Sequence, residues 1–277
     1  MDPQEAEQGQ KKLIHLAYCP ERILPGKAME ELVTNDRIIG GMTSEAAKRG
    51  KAVYATFCQG ELLETDDVTA EMAKLTENSF RDVNIAFANE LSLISDKLGI
   101  DVWELIELAN HHPRVNILQP GPGVGGHCIA VDPWFIVSSD RENSNLIRTA
   151  REVNDGKPQW VIDKVREAVS HQSEPTVATL GLAFKANIDD LRESPALNIT
   201  KDLAEALPEA KILAVEPNVS QLPKALAGLA NVELAEHGQA IERADVLLVL
   251  VDHDEFKAVP ATALAGKTVV DTKGLWR

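Results

Sequence analysis

The sequence predicts an α/β protein, and three observations carry this prediction. From residue 173 onward, short apolar strands alternate with amphipathic helices, which is typical of a parallel, doubly wound sheet. Residues 66–97 contain no proline or glycine and repeat apolar side chains about every 3.6 residues, which predicts one long helix. The first 60 residues resemble only the end of a further α/β domain. We therefore expect three domains, at 1–60, 61–172 and 173–277.

The opening elements are short. Residues 1–12 are polar and lack the apolar segment of a signal peptide. Strands are predicted at 13–18 and 37–41, and a helix at 44–54. Because two strands and one helix cannot enclose a core, we expect another segment, or a separate chain, to complete this domain.

The middle of the chain is predicted to be helical. Asp101 is suited to cap a helix at 102–110. Two further helices are predicted at 145–154 and 158–171, because Pro158 fits the first turn of a new helix. The apolar face of the long helix exceeds what the small neighbouring elements can cover, so we expect a homodimer built on it.

The last part of the chain alternates strands with helices, as a doubly wound sheet requires. The predicted strands are 176–180, 211–215, 232–234, 246–251 and 268–270, and the predicted helices are 195–207, 222–229 and 239–243.

Composition narrows the class of protein. The net charge of −15 argues against nucleic acid or an anionic membrane as partner, so any anionic ligand must be held by a few local Arg and Lys side chains. The cysteines, Cys19, Cys58 and Cys128, are odd in number and widely spaced. They indicate free thiols in the cytoplasm rather than a disulfide framework or a structural zinc site.

Cys128 lies in the most informative segment, 120–133. Four glycines and two prolines precede it, and they predict a tight loop whose backbone can approach a ligand. Asp132 follows within reach, and a loop thiol beside a carboxylate suggests covalent catalysis. The common alternative is a buried structural cysteine. The glycines of 121–126 also match G-x-G-x-x-G, but without a preceding strand and a following helix they are no dinucleotide fingerprint.

Three polar residues share a face of the long helix. Lys74, Asn78 and Arg81 are separated by four and three residues, so they are neighbours on the helix surface. They are either a cluster of donors aimed at one anionic group or a solvated polar stripe.

A second polar segment follows the strand at 176–180. Phe184 and Lys185 lie at the carboxyl end of that strand, where ligand crevices form in α/β sheets. Ser194 and Pro195 then begin a helix whose N-terminus could hold a phosphate, although an ordinary capped helix explains them equally well.

Taken together, four segments resemble one family. Residues 18–26, 74–84, 125–132 and 181–195 occur in the order and spacing of the UDP-glucose/GDP-mannose dehydrogenase family, and the resemblance covers essentially 13–277. It implies a partial NAD-binding Rossmann domain, a central dimerisation domain and a UDP-sugar-binding domain. It also implies oxidation of a UDP-sugar alcohol to a carboxylate with NAD. The particular sequences point to the branch that acts on UDP-N-acetyl-D-mannosamine for surface polysaccharide.

The resemblance implies catalytic roles residue by residue. Cys128 is expected to form a thiohemiacetal and then a thioester with the substrate. Lys74 is expected to donate to the reacting oxygen, and Asn78 to steady the oxyanion. Asp132 and Glu21 match the acid/base pair, with Glu21 as the base toward the hydrolytic water.

The resemblance also implies binding residues. Arg192 should face NAD across the domain gap, and two of the substrate residues, His112 and Arg114, should reach the site of a neighbouring subunit. The expected substrate residues are Arg22, Ile23, Arg81, His112, Arg114, Gly125, Phe184, Lys185, Lys273 and Arg277.

The sequence also departs from the family pattern. Family members begin with a glycine fingerprint, whereas this chain starts where that domain is ending, so we expect the chain alone to be inactive. The alternative is a truncated, non-catalytic module that binds UDP-sugar and dimerises. Pro25 stands where other branches keep a second acid, which places more weight on Glu21, and Val131 stands where they commonly keep a lysine beside Asp132. Both departures are expected of the branch that acts on UDP-N-acetyl-D-mannosamine.

Overall fold

The computed structural model describes residues 14–23, 26–126 and 128–277. The leader at 1–12, the first residue of the predicted opening strand and Pro25 lie outside the described residues. The chain divides into two compact units, Met1–Asn78 and Ser79–Arg277. The α/β class is confirmed, and the finer division into three domains stays a prediction.

The first unit contains a three-stranded sheet. β1 (Ala17–Tyr18) pairs antiparallel with β2 (Arg37–Gly41), which pairs parallel with β3 (Leu62–Asp66). In the chain, α1 (Ala28–Thr34) lies between β1 and β2, and α2 (Ser44–Tyr54) lies between β2 and β3. The strand at 37–41 and the helix at 44–54 are confirmed. β3 was not predicted, because its half-exposed, polar sequence is placed mainly by pairing with β2.

The long helix is confirmed as α3 (Asp67–Leu98), and the boundary between the two units falls within it. Gly99 ends α3 in the left-handed region, with φ of +69°. Asp101 then caps α4 (Val102–Asn110) by accepting a hydrogen bond of 2.8 Å from the Trp103 amide.

The two helices that follow α4 differ from expectation. α5 (Asp132–Ser139) was not predicted, and one helix, α6 (Asn145–Val169), replaces the two that were predicted on either side of Pro158. Buried contacts anchor α6 on both sides of the proline. Asn154 donates to the Asp82 carboxylate at 2.8 Å, and Val161 is fully buried. These contacts outweigh the backbone hydrogen bond that proline removes.

The rest of the second unit is a parallel, five-stranded sheet in the order β6-β5-β4-β7-β8. Its strands are β4 (Thr176–Leu180), β5 (Lys211–Val215), β6 (Val232–Leu234), β7 (Val246–Val249) and β8 (Thr268–Asp271). Its helices are α7 (Pro195–Ala206), α8 (His237–Arg243) and α9 (Asp254–Lys257). The doubly wound prediction is therefore confirmed.

Helices cover both faces of this sheet. Val177 and Ile212 face α6 and α7, whereas Leu180 and Leu213 face α8 and α9. Because successive strand residues point to opposite faces, both sets of side chains on the central strands are buried, and these strands are mostly apolar: β7 is apolar throughout, whereas β4 contains Thr176 and the buried Thr179. Such strands are easy to recognise in a sequence.

The helix predicted at 222–229 is wrong. The segment forms turns, in which the Leu226 amide donates to the Pro223 carbonyl at 2.9 Å. Pro223 and Gly228 both disfavour a helix interior, and buried Leu226 supplied the apolar signal. Among the described residues, no helix combines the length and apolarity needed to span a membrane.

A buried lysine should make stability depend on pH. Burial lowers the pKa of Lys157 to about 7, although Asp96 opposes the shift. At pH values between this pKa and the higher pKa of a lysine in the unfolded chain, the unfolded chain binds one proton more than the folded chain. The free energy of unfolding therefore rises with pH, by up to about 1.4 kcal/mol per pH unit. Urea unfolding from pH about 7 to 9 should show this rise and lose it in Lys157→Met. Lys164→Met, on the same helix, is the control; an unchanged slope in Lys157→Met contradicts the assignment.

Candidate functional site

A cavity lies where the strand order of the five-stranded sheet reverses. β4 and β7 are neighbours, but the chain leaves them toward opposite edges of the sheet, which opens a crevice beyond their carboxyl ends. The cavity has a volume of about 520 Å³ and is lined by the segments that follow β4, β7 and β8, by part of α3 and by the glycine/proline loop. Five predicted substrate residues line it: Arg81, Gly125, Phe184, Lys185 and Lys273.

The cavity gathers positive charge in an acidic chain. Its lining contains three cationic side chains, Arg81, Lys185 and Lys273, and one acidic side chain, Asp252, whereas the chain carries a net charge of −15. The Lys273 Nζ lies 3.3 Å from an Asp252 oxygen. Burial would raise the pKa of Asp252, but Lys273, a backbone hydrogen bond and Lys257 together lower the pKa below its usual range. Phe184 is 38% exposed, so its ring can stack on a planar ligand group.

The glycine/proline loop is pressed against the start of α7. A Cβ on Gly125 would lie 2.6 Å from Pro195 and 2.8 Å from the Glu193 carbonyl. The next residue, Gly126, has φ of +88° and donates its amide to the same carbonyl at 3.2 Å. Glycine is therefore required at these positions by close approach and by backbone conformation.

Buried polar side chains hold the entry of this loop. The Gly121 amide donates to the Asn89 side-chain oxygen at 2.9 Å, and Asn89 donates in turn to Asn154 at 2.8 Å. Asn154 also donates to Asp82, which forms a buried ion pair with Arg151. Sequence reasoning missed this network, because the residues that meet between α3 and α6 are 65 or more positions apart in the sequence.

Cys128 stands on the turn that leads into α5. Its carbonyl accepts hydrogen bonds from the amides of Val131 at 3.1 Å and Asp132 at 2.8 Å. Its side chain is exposed, so the alternative of a buried structural cysteine does not hold. The adjacent Ile129 lines the cavity, and Asp132 is in the first turn of α5.

Exposure should make Cys128 the most reactive thiol. Cys19 and Cys58 are half-buried; burial raises the pKa of the Cys19 thiol, and the Cys58 thiol donates to the Asn35 carbonyl at 3.3 Å. Because the thiolate is the nucleophile, both should react slowly with iodoacetamide at neutral pH. Peptide mass spectrometry over time should find Cys128 labelled first. Equal labelling of Cys128 and Cys58 would contradict the prediction.

In the first unit, Glu21 is held by its neighbours. One carboxylate oxygen accepts from the backbone amides of Arg22 at 2.7 Å and Ile23 at 2.8 Å, and from the buried Arg37 guanidinium at 3.3 Å. Arg22 itself pairs with Glu77 at 2.9 Å. Arg37 was missed by sequence reasoning, since an Arg within a strand carries no recognisable motif.

Lys74 and Asn78 are half-buried and share a face of α3. They belong to the first unit, whereas Cys128 belongs to the second. The assembly of one catalytic site from these residues therefore stays a prediction.

Four further predicted residues lie outside the lining of this cavity. His112 and Arg114 are exposed after the end of α4, and Arg277 is exposed at the end of the chain. The Arg192 side chain is 74% exposed and pairs with Asp190 at 2.6 Å. Their roles toward a neighbouring subunit, UDP-sugar and NAD stay predictions.

Comparison with known families gives three matches, all to domains of one family. The NAD binding domain of the UDP-glucose/GDP-mannose dehydrogenase family matches residues 2–58. The central domain of that family matches residues 68–156, and its UDP binding domain matches residues 178–277.

Individual relatives are similar over nearly the whole chain. A UDP-N-acetyl-D-mannosamine dehydrogenase of Salmonella typhi is 60% identical over 99% of this chain and 66% of the relative. An NDP-N-acetyl-D-galactosaminuronic acid dehydrogenase of Ralstonia nicotianae is 55% identical over 98% of this chain and 63% of the relative. This chain thus spans somewhat less than two thirds of the length of such relatives.

Solved structures agree with these similarities. The UDP-D-ManNAc dehydrogenase of Pyrococcus horikoshii is 36% identical with a TM-score of 0.83, over 97% of this chain and 63% of that one. The UDP-N-acetyl-mannosamine dehydrogenase Cap5O of S. aureus is 46% identical with a TM-score of 0.81, over 99% of this chain and 64% of that one.

Proposed function

The chain belongs to the UDP-glucose/GDP-mannose dehydrogenase family, and from this premise we propose that it oxidises UDP-N-acetyl-D-mannosamine to the uronate in two steps, with NAD as the hydride acceptor. The 60% identical Salmonella relative carries the name of this activity. The Ralstonia relative is named for another N-acetylated sugar, which supports an N-acetylhexosamine nucleotide as the substrate class. Similarity to dehydrogenases over the whole chain favours this function over a non-catalytic binding module.

One observation carries the proposal: three cations and an exposed phenylalanine line one cavity of a strongly acidic chain. The diphosphate of a UDP-sugar would be neutralised by Arg81, Lys185 and Lys273. The uracil ring would stack on Phe184. The crevice at the reversal of strand order is also where α/β sheets bind nucleotides.

Calorimetric titration of the 277-residue chain with UDP tests this assignment. Wild type should bind UDP, and Lys185→Ala should weaken binding by about tenfold, because one charge-assisted hydrogen bond is lost. Lys201→Ala is the matched control, since Lys201 is on the surface of α7 and pairs with Glu205. Absence of UDP binding by wild type would contradict the proposal.

In the proposed mechanism, Cys128 carries out the covalent steps. After the first oxidation, the Cys128 thiolate adds to the aldehyde carbon and forms a thiohemiacetal. The second oxidation converts this adduct to a thioester. Water then adds to the thioester carbon, the thiolate leaves, and the carboxylate product is released. Exposure of Cys128 at the end of a glycine-rich loop supports this role.

The remaining groups control protons and charge. Lys74 donates to the reacting oxygen, and Asn78 donates to the oxyanion of the tetrahedral adduct. Glu21 takes the proton of the attacking water, and Asp132 completes the acid/base pair. The amides and guanidinium that bind one Glu21 oxygen orient its carboxylate.

Residues 2–58 match the NAD binding domain of the family, but the described residues contain no G-x-G-x-x-G between a strand and a helix. Bound NAD would supply the hydride acceptor for each oxidation, and its pyrophosphate would be held by a glycine-rich turn between a strand and a helix. The turn from β2 into α2 does contain a glycine, but Gly41 is packed against α2, where a Cβ would lie 2.3 Å from the Ala47 amide nitrogen, and the Thr43 side chain already accepts from the Ala46 amide at the start of the helix. We therefore expect the 277-residue chain to form NADH only with the NAD-binding segment of a relative, fused or as a separate chain.

A homodimer built on α3 is part of the proposal. Phe80, Phe87 and Ile94 follow one another at intervals of seven residues and are 71%, 54% and 47% exposed. Such a stripe is typical of a helix that packs against a partner helix. In the dimer, His112 and Arg114 would reach the partner's site.

Phe87→Glu should convert this dimer to a monomer, because it places a carboxylate in the centre of the apolar stripe. Light scattering at micromolar concentration measures the mass directly. Met29→Glu, which adds the same charge at an 81%-exposed position of α1, should leave the dimer intact. A wild-type monomer would refute the prediction.

The surface-polysaccharide role and the cytoplasmic location remain predictions.

A further inference from the structure

The loop that carries Phe184 and Lys185 is fastened to a buried carboxylate. Glu216, directly after β5, is 4% exposed. One of its oxygens accepts hydrogen bonds from the backbone amides of Leu182 at 2.8 Å and Ala183 at 3.0 Å. The loop therefore leaves β4 with its first amides bound to a side chain of the neighbouring strand.

A buried histidine holds the other end of the same loop. His253, which follows β7, is fully buried, and its Nδ1 accepts from the Asn187 amide at 3.0 Å. This bond places the histidine proton on Nε2, which donates to Glu216 at 3.1 Å. Asn187 has φ of +62°, so the chain turns sharply where it is held.

Glu216 is fully occupied by the protein. Its second oxygen accepts from the Asn218 amide at 3.2 Å and from the Asn218 side chain at 3.1 Å. An acid after the second strand of a dinucleotide-binding fold is normally available to a ribose hydroxyl. In this protein the equivalent carboxylate serves the loop after β4 instead.

The carboxylate is charged at physiological pH. Burial would raise the pKa of Glu216, but the hydrogen bonds from His253 and from the Leu182 and Ala183 amides outweigh it and lower the pKa to about 2. Hydrogen bonds to a charged acceptor are about twice as strong as neutral ones. Three backbone amides of the loop, on both sides of Phe184 and Lys185, are thus hydrogen-bonded either to the Glu216 carboxylate or to the His253 ring that Glu216 holds.

We propose that Glu216 and His253 are positioning residues that fix the 182–187 loop in the conformation that presents Phe184 and Lys185 to the nucleotide. The inference rests on the proposed function in one respect, which is that the Phe184 and Lys185 side chains bind UDP. Loop rigidity lowers the ordering cost of binding, so loss of the pair should weaken UDP binding through Lys185.

The test combines Glu216→Gln with Lys185→Ala in calorimetric titrations with UDP. Glu216→Gln should weaken binding by about tenfold in the wild-type background and should have a smaller effect once Lys185 is absent, because only Phe184 then remains for the loop to present. Glu233→Gln is the matched control, because it makes the same change on the same sheet, where Glu233 pairs with Lys211 and Arg243. An unchanged affinity in Glu216→Gln, or an equal loss in both backgrounds, would overturn the inference.

Amide hydrogen exchange separates this inference from the proposed function. Glu216→Gln should speed exchange in the peptide that contains residues 182–187 and leave residues 246–249 protected, whether or not UDP binds. Faster exchange throughout the chain, or an unchanged exchange rate in residues 182–187, would overturn the positioning role. If Glu216→Gln does not fold, His253→Gln provides the same readout at the Asn187 end. A wild-type chain that shows loop protection but no UDP binding would contradict the proposed function alone.

Discussion

Cys128→Ser is expected to lower formation of the carboxylate product by a thousandfold or more, on the order seen when an enzyme loses its nucleophile. A thiol near neutral pH is partly ionised, whereas a serine hydroxyl is not. Serine would also convert the thioester into an ester, whose alkoxide is a poorer leaving group when water attacks. The first oxidation does not need the thiol, so aldehyde should still form.

The assay uses the chain fused to the NAD-binding segment of a 60% identical relative, with the aldehyde trapped by a hydrazine and the products separated by chromatography. Cys58→Ser makes the same change at a half-buried thiol and should retain full activity. Carboxylate produced by Cys128→Ser at the wild-type rate would remove Cys128 from the mechanism.

Elements that depend on local sequence were predictable. α3 follows from an uninterrupted apolar period, and α4 and α7 begin at Asp101 and Ser194, whose side chains cap them. The central strands β4 and β7 are mostly apolar because helices cover both faces of their sheet. In each case the stabilising contacts lie within a few residues or follow from burial alone.

Elements fixed by distant contacts were not predictable. Pro158 signals a new helix locally, but α6 continues because Asn154 and Val161 are held by α3 and the sheet. Leu226 gives the segment 222–229 an apolar period, although it is only the buried anchor of a series of turns. Tertiary packing overrides the local preference in both segments.

Some residues of the candidate site were likewise predictable from the sequence, and others were not. Phe184 and Lys185 were predictable from their place after an apolar strand, and Gly125 from its loop. The residues that support them were not: Asn89, Glu216 and His253 act on loops far away in sequence. An acid directly after a buried strand was a usable signal for Glu216, because such positions meet at one edge of a parallel sheet.

Lys74→Ala is expected to slow both oxidations, by about a hundredfold or roughly 3 kcal/mol, which is typical for loss of one donor to a developing oxyanion. The ammonium would interact with the reacting oxygen in the first oxidation and again in the second. Lys74→Arg keeps the charge but not the shape of the donor, and it should recover only part of the rate. Lys97→Ala, in the last turn of the same helix, should have no effect.

The product pattern distinguishes the two catalytic substitutions. Cys128→Ser blocks the sequence after the aldehyde, so trapped aldehyde should accumulate. Lys74→Ala slows the step that makes the aldehyde as well, so NADH and carboxylate should fall together and little aldehyde should be trapped. Accumulation of aldehyde in Lys74→Ala would restrict this lysine to the second oxidation, and an unchanged rate would show that its side chain does not reach the reacting oxygen at all.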